Sequence, residues 1–259
     1  MPEPVGKRLI KVGISSAVAL FDVASKALGR SPSARAQGVV LLYHDVPSGL
    51  ARAFQRQVEA LRTDGRALVP LAQMSNPPPA GWNIAITFDD ALSSFHDVAL
   101  PVCKSLGAPV TLFVPPGLLG TAGYMSAGQL AQLPALVEVG AHGNLHRRLS
   151  TLSDDELRDE LEGSRASLTQ LIGRPVTSVA YPFGDWDDRV RDAALAAGYH
   201  DAHTVRPACR RADDDPFALP RVTVEPTDWP LEFRLKCIGA YRWMGVLMAL
   251  RRRFLSSAV

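Results

Sequence analysis

Two short polar segments of this chain combine residue types that bind metal ions and move protons. Thr87-Phe88-Asp89-Asp90 places two adjacent carboxylates at the end of the apolar run 84–88, and the histidine pair His142 and His146 follows the run 137–139. One carboxylate and two imidazoles form a three-ligand site for a divalent ion and leave a position for water. The second carboxylate can then accept a proton from that water, so the residue types indicate a hydrolase.

Each segment also has a simpler interpretation. Adjacent acidic residues often cap a helix at the surface, and Asp89 and Asp90 precede a helical pattern near Ser93. A histidine pair four residues apart can arise by chance on an exposed helix. Because both segments follow strand-like runs and glycines flank the first histidine, the sequence favours the metal site.

The elements that would position these residues are apolar runs that alternate with helical patterns. Such alternation predicts a parallel sheet, and seven strands with polar residues at their ends favour a (β/α) barrel. His44 follows the first run and the segment 181–184 ends the fifth, so both would lie at the same barrel face as the carboxylates and histidines. The predicted strands are 39–43, 84–88, 110–114, 137–141, 177–181, 202–205 and 221–224.

The helical patterns lie between these strands. The one that begins at residue 154 starts with a capping box, because Ser153 and Glu156 are three residues apart and precede an apolar pattern. The predicted helices are 54–62, 93–106, 126–133, 154–172 and 187–197.

The composition restricts the class of protein. The chain has 259 residues, 47% of them hydrophobic, which is enough for one large α/β domain or two small ones. A formal net charge of +2 gives no bulk electrostatic basis for binding nucleic acid. Cys103, Cys209 and Cys237 are far apart and odd in number, which predicts buried thiols rather than a disulfide framework or a metal motif.

At both ends of the chain, apolar residues beside basic residues predict amphipathic helices. The helical pattern over 7–28 indicates an uncleaved helix or, alternatively, a secretory signal. The apolar run 243–250 is too short to span a bilayer, which needs about 20 residues, so it either lies on a membrane surface or docks on the barrel. The flanking basic residues are Lys7, Arg8, Lys11, Arg251, Arg252 and Arg253.

These patterns divide the chain into three predicted regions. Residues 1–36 would form an N-terminal amphipathic helix and a linker over 31–37. Residues 37–229 would form the catalytic domain, and residues 230–259 a C-terminal amphipathic basic helix.

Five segments in order resemble motifs of the polysaccharide deacetylase family, the NodB-like carbohydrate esterases of family 4. The first two resemble the family's TFDDG and H-S/T-x-x-H motifs, and the other three resemble its exopolysaccharide-biosynthesis branch. The resemblance covers roughly residues 39–224 and implies a distorted (β/α)7 barrel with flanking N- and C-terminal helices. The segments are TFDDA at 87–91, HGNLH at 142–146, YPFG at 181–184, LYHDV at 42–46 and LPRV at 219–222.

The resemblance implies a role for each residue of the metal and catalytic set. Asp89 would be the general base, and Asp90, His142 and His146 would be the metal ligands. Zinc is the first expectation for the metal, and nickel, cobalt, iron or manganese also suit an Asp-His-His set.

The resemblance also leaves gaps. Many relatives carry a late L-x-H motif that supplies a histidine acid, but no histidine follows His203 here. In the exopolysaccharide branch the early Y-H pair supplies it, so His44 is expected to be the catalytic acid. Ala91 replaces the usual glycine, which tightens the turn, and Gly143 replaces a Ser or Thr, which removes a hydroxyl that could support the site.

The substrate-binding residues implied by the resemblance are Tyr181, Pro182, Phe183 and Arg221. The first three would shape the sugar pocket, although a simple turn uses the same residue types. Arg221 could instead orient Asp89, as an arginine does in relatives, or form a surface salt bridge.

The expected function is therefore metal-dependent removal of an N-acetyl group from an amino sugar in a surface polysaccharide or its precursor. One alternative is a deformylase or deacetylase of a lipid-linked sugar, and another is a sugar-binding pseudoenzyme. The expected partners are an N-acetylated glycan or glycolipid, and a membrane surface through the terminal helices, without nucleic acid. The expected location is bacterial, cytoplasmic or peripheral to the membrane, or exported if the N-terminus is a signal.

Overall fold

The strands form where the sequence has short apolar runs. A computed structural model describes residues 3–28, 36–63, 66–75 and 82–256. The predicted linker lies mostly outside the described residues, and its last two residues belong to the first strand. The strands are β1 (Ala36–Tyr43), β2 (Ala67–Leu68), β3 (Asn83–Phe88), β4 (Val110–Val114), β5 (Val137–Ala141), β6 (Ser178–Ala180), β7 (Asp201–His203), β8 (Arg210–Arg211) and β9 (Val222–Thr223).

These strands form one mixed sheet of nine strands within the described residues, in the order β7-β6-β5-β4-β3-β1-β8. β2 pairs with β3 and β9 pairs with β1, both in parallel, whereas β8 is antiparallel to β1. All seven predicted strands are present and parallel, which confirms the predicted class of fold. The sequence did not indicate β2 and β8.

The chain after β8 runs between the two edges of the parallel sheet. The Leu219 N–H donates to the Ala202 carbonyl (3.0 Å), and the Thr204 N–H donates to the Leu219 carbonyl (2.8 Å). Three residues further on, Val222 pairs with Leu41 of β1. This segment therefore connects β7 to β1 and closes a distorted barrel.

Alternate side chains of the barrel strands belong to two apolar clusters. Val40, Ala85, Phe113 and Ala180 form the smaller cluster with side chains of the 69–74 segment. Their strand neighbours, such as Leu41, join the larger cluster that packs against the helices. Because successive side chains of a strand face opposite sides, the smaller cluster lies on the inner face of the barrel. Burial of both faces explains why the strands are continuous apolar runs.

The helices surround the barrel. The predicted capping box is confirmed, since the Ser153 side chain accepts the Glu156 N–H. The predicted helix over 154–172 contains a π-helical turn, Asp159–Gly163, and a second π turn, Phe95–Ala99, precedes α3. The helices are α1 (Val5–Ala27), α2 (Ala51–Thr63), α3 (Leu100–Leu106), α4 (Ala127–Ala131), α5 (Asp154–Arg158), α6 (Ser164–Ile172), α7 (Asp188–Ala196), α8 (Pro230–Cys237) and α9 (Arg242–Ser256).

The C-terminal segment contains two helices, so the prediction of a single helix over 230–259 is wrong. Gly239 lies between them with φ +71°, and a Cβ there would be 2.2 Å from the Cys209 Sγ. α8 packs on the barrel, because Phe233 and Cys237 join the larger core cluster and the Trp82 Nε1–H donates to the Cys237 carbonyl (2.8 Å). No helix within the described ranges is both long enough and apolar enough to cross a bilayer.

Candidate metal and catalytic site

The two adjacent aspartates lie at the end of β3 in different surroundings. The Asp89 N–H donates to the Tyr43 carbonyl (3.0 Å), so the ladder with β1 continues to this residue and buries it. Asp90 (φ +74°) and Ala91 (φ +56°) then form a left-handed turn, a conformation that favours glycine. Ala91 is thus accommodated in the expected tight turn. The Ser93 N–H is bonded to a carbonyl of another loop, which argues against helix capping by the carboxylates.

The two histidines project from the loop after β5. The His142 N–H donates to the Val114 carbonyl (2.9 Å), and its Nδ1–H donates to the Ala180 carbonyl (2.7 Å). Since a carbonyl can only accept, the neutral imidazole keeps a lone pair on Nε2. Gly143 (φ +65°) and His146 (φ +56°) are left-handed. These turns bring the two imidazole centroids within 4.8 Å of each other.

The structure brings Asp90, His142 and His146 together. The Asp90 Oδ1 lies 3.2 Å from the His146 Nε2 and 3.5 Å from the His142 Nε2, and the three candidate ligand atoms lie within 4.8 Å of one another. Among the described residues, the buried Asp90 Oδ1 has no hydrogen-bond partner. A carboxylate oxygen and imidazole nitrogens that converge in this way fit a divalent cation.

The electrostatics also suit metal binding. Burial lowers the pKa of His142 and outweighs the opposite effect of Asp89 and Asp90. A lowered pKa favours the neutral imidazole, which is the form that binds metal.

Asp89 is paired with Arg221 inside the barrel. The two guanidinium nitrogens lie 2.6 and 2.7 Å from the two carboxylate oxygens, and Arg221 is 0% exposed. The Arg221 Nε donates to the Thr204 carbonyl and one terminal nitrogen to the Thr87 hydroxyl. Burial alone would raise the pKa of Asp89, but Arg221 and His142 outweigh it and hold the pKa at about 2. Asp89 is therefore an ionised, fixed carboxylate.

One buried carboxylate at the site, Glu160, was missed by the sequence reasoning. It accepts the backbone N–H groups of Asn144 (2.6 Å) and Leu145 (3.0 Å), which lie between the two histidines. A Cβ on Gly143 would lie 2.8 Å from its Oε2. Glu160 belongs to the π turn Asp159–Gly163. Such turns are frequent at functional sites, but the helical pattern of the sequence gives no sign of one.

The two candidate acids differ in their surroundings. His44 is half-buried after β1, and its charge helps to lower the pKa of Asp89, so it is within electrostatic range of that carboxylate. His203 is buried, and its Nε2 lies 3.0 Å from the Asp201 Oδ1. Burial lowers the pKa of His203 despite this neighbour. A buried histidine with a lowered pKa is a poor proton donor at neutral pH, which favours His44.

The predicted substrate-binding residues do not share one location. The Tyr181 side chain is buried, stacks on Trp186 and donates its hydroxyl to the Phe217 carbonyl (3.0 Å), so its predicted place in the sugar pocket is wrong. Pro182 is also buried, and it packs beside Gly143.

Phe183 does lie at the surface beside the candidate metal ligands. It is 52% exposed, and its ring centroid lies 4.5 Å from that of His146. Arg221 is fully buried against Asp89, so it corresponds to the orienting alternative and not to a substrate contact or a surface salt bridge.

Comparisons with known proteins agree with this geometry. A family model for polysaccharide deacetylases matches residues 77–202. The Bacillus subtilis (strain 168) protein YxkH, whose name places it among polysaccharide deacetylases, is 25% identical in an alignment of 198 positions that covers 72% of this chain and 71% of YxkH.

Solved structures share the fold. IcaB from Ammonifex degensii is 26% identical with a TM-score of 0.69 over 78% of this chain and 98% of its own. The Streptococcus pyogenes deacetylase PplD, solved in complex with acetate, is 22% identical with a TM-score of 0.70 over 77% of this chain and 97% of its own. Together with the matched motifs and the closed parallel sheet, the family model, the curated relative and the IcaB structure support the NodB-like polysaccharide deacetylase family for this chain.

Proposed function

We propose that this chain is a metal-dependent N-deacetylase that acts on an amino sugar of a bacterial surface polysaccharide or its precursor. The observation that carries the proposal is the convergence of Asp90, His142 and His146 beside the Asp89–Arg221 pair. The family supports a carbohydrate deacetylase, and the donor set supports a metal. Zinc is the first candidate, because two imidazoles and one carboxylate form a common open zinc site.

The chain's own residues would divide the chemistry among them. A divalent ion bound by Asp90, His142 and His146 would polarise the acetyl carbonyl and lower the pKa of the attacking water. Asp89 would accept the proton of that water while Arg221 fixes the orientation of its carboxylate.

The leaving group requires a proton of its own. Without that proton the sugar nitrogen would have to leave as an amide anion, so a general acid must protonate it as the bond to the carbonyl carbon breaks and the free amine departs. His44 would donate this proton, because His203 is buried with a lowered pKa.

The loop after β6 would bind the acetamido group and the sugar. The Tyr181 N–H already donates to the His203 carbonyl (3.0 Å), and proline has no N–H. The Phe183 N–H is therefore the candidate donor to the developing oxyanion. The exposed Phe183 ring would stack on the apolar face of a sugar.

The direct test is acetate release from a panel of N-acetylated sugars by the zinc-loaded full chain. The panel contains free, polymeric and lipid-linked N-acetylated amino sugars, and His142→Ala is the matched control. Release by the parent protein and loss of both bound zinc and release in the variant are expected. If the protein binds zinc and the sugars but releases no acyl group from any of them, it is a sugar-binding pseudoenzyme.

A lipid-linked amino sugar, deacetylated or deformylated at a membrane surface, is the second candidate substrate. The observation that favours it is a large apolar surface on the terminal helices. Formate and acetate are both measured in the panel, so the acyl group is identified in the same experiment. We also propose that residues 37–229 form the catalytic unit and that the terminal helices locate it at its substrate.

A further inference from the structure

The first helix is inverted relative to an ordinary surface helix, because it buries serines and exposes large apolar residues. Ser15 and Ser25 are its buried residues, whereas Leu20 is 71% exposed and Phe21 is 63% exposed. The exposed large apolar residues of α1 and its C-terminal cap are Val5, Leu9, Ile10, Ile14, Leu20, Phe21, Val23 and Leu28. Over 23 residues the helix is about 35 Å long. So many exposed large apolar side chains on one helix indicate an interaction site.

Polar contacts fix the inner face of α1 to the C-terminal helices. The Arg8 guanidinium donates to the Glu232 carboxylate (2.5 Å) and lies over the Trp229 ring (4.5 Å). The Trp243 Nε1–H donates to the Ser15 hydroxyl (3.0 Å). Val12, Val18 and Ala19 of α1 add apolar contacts with the same part of the protein. Polar contacts and these small side chains therefore specify the inner side of α1, and its largest apolar side chains face outward.

α9 extends this surface. Arg242 pairs with Asp22 (2.6 Å) near the end of α1, and Met248 lines the same cavity as Glu3 and Lys11 near its start. α9 therefore runs antiparallel along α1. Its exposed apolar residues are Val246, Leu247, Met248 and Leu250.

The charged residues of α1 and α9 indicate which partner binds the apolar surface of these two helices. Lys7 and Lys26 are exposed on α1, and the acidic Asp22 is neutralised by Arg242. α9 has no acidic residue, and its sequence carries a run of three arginines at 251–253. A second copy would bring two cationic surfaces together. An anionic bilayer surface complements both the apolar residues and the positive charge.

We infer that the outer face of α1, together with α9, is a docking surface for an anionic lipid bilayer. α1 lies in the headgroup region with its apolar side inserted, and the basic residues contact the lipid phosphates. No part of the chain needs to span the bilayer for this mode of binding.

The docking surface adjoins the catalytic end of the barrel. A cavity of about 790 Å³ separates α1, α8 and α9 from Thr223 and Glu225, which lie at and just beyond the end of β9. β9 is parallel to β1, so its end lies on the same side as His44. The docked protein thus holds its catalytic end near the lipid, which suits a membrane-bound glycan; this last step rests on the proposed function.

The test is sedimentation of the full chain with vesicles of phosphatidylcholine alone or with phosphatidylglycerol. The double variant Leu20→Glu/Phe21→Glu places charge on the docking surface. Leu195→Glu is the matched control, because Leu195 is 57% exposed on α7, away from α1. Melting temperatures of all variants are compared first, and exposed positions should change them little.

Binding to the anionic vesicles is expected, weakened by 1 M salt, with about a tenfold or greater loss for the double variant and none for Leu195→Glu. Equal binding by the double variant, or no binding to anionic vesicles at low salt, would overturn the inference. A dimer in solution that the double variant dissociates would also overturn it and assign the surface to a second copy. Acetate release from soluble sugars is measured in parallel, so failure of docking is distinguishable from failure of the proposed activity.

Discussion

The Glu160 carboxylate accepts the Asn144 backbone N–H at 2.6 Å and thereby ties the loop between the two histidines to the helix layer. The family motif has a Ser or Thr where this chain has Gly143, and the sequence predicts a loss of support there. The structure instead places the Glu160 Oε2 2.8 Å from the position that a Cβ of residue 143 would take. A carboxylate from another element therefore supports the loop that a hydroxyl would otherwise support.

Loss of the Glu160 carboxylate should weaken metal binding without removing a ligand. We expect Glu160→Ala to reduce zinc affinity about 10–100-fold, which is the usual effect of removing a residue that orients a metal ligand. Glu160→Gln should reduce the affinity less, because its side chain keeps one acceptor oxygen. Calorimetric zinc titration measures both. Glu162→Gln, an exposed position on the same π turn, is the control. Unchanged affinity in folded Glu160→Ala would show that the contact is only structural.

Restoring the family's hydroxyl by Gly143→Ser should impair the protein. The residue has φ +65°, and its new Cβ would lie 2.8 Å from the Glu160 Oε2. We expect lower zinc affinity and a lower melting temperature. Gly120→Ala is a control for backbone strain alone, since Gly120 has φ +80° and open space around it. Combining Gly143→Ser with Glu160→Ala should recover part of the loss, and simple additivity in this cycle would argue against the clash.

The two adjacent aspartates should separate into two functions. Asp90→Asn should lower zinc affinity, since a neutral amide is a weaker ligand than a carboxylate. Asp89→Asn should retain zinc but lose acetate release and some stability, because it leaves the buried Arg221 charge uncompensated. Zinc content after dialysis, measured beside turnover, checks both. Equal loss of zinc in the two variants would mean that the roles of base and ligand are wrongly assigned.

His44 should matter only where the leaving group needs a proton. We expect His44→Ala to slow amide hydrolysis about 10²–10⁴-fold while zinc content and melting temperature stay unchanged. An aryl acetate should be affected much less, because a phenolate leaves without a proton. Equal losses on both substrates would instead assign His44 to substrate positioning.

The three cysteines should be unreactive in the folded protein. All are buried, and none forms a disulfide. Burial raises the pKa of Cys103 to about 12 and that of Cys209 to about 11, so at pH 8 almost none of these two thiols is present as the reactive thiolate. Cys237 is 1% exposed, so reagent cannot reach it. We expect no labelling by Ellman's reagent at pH 8 until denaturant is added, when all three thiols react. Rapid labelling of the native protein would indicate an opening of the core near one of them.

The sequence predicts the barrel because its strands are buried on both faces and read as apolar runs. β8 consists of two arginines, so no apolar run indicates it, and β2 is two residues that precede a proline-containing segment. The burial of Tyr181 could have been foreseen, since Ala180 faces the barrel interior and the next side chain must face the helices. The contact of Glu160 with the histidine loop could not be foreseen, because the position of Glu160 depends on a π turn that does not alter the apolar pattern of the sequence.

The segment that closes the barrel between β7 and β1 carries Arg221, so this arginine is synthesised after the other residues of the site. Asp89 and the three candidate ligands have all been synthesised once the chain reaches residue 146. Arg221, which orients Asp89, comes 132 positions after Asp89 in the sequence. During translation the chain therefore acquires its candidate metal ligands long before Arg221 can hold the proposed proton acceptor, Asp89, in place. A chain that ended before residue 219 would keep the candidate ligands and lack the Arg221 guanidinium, so the proposed hydrolytic activity would require completion of the barrel.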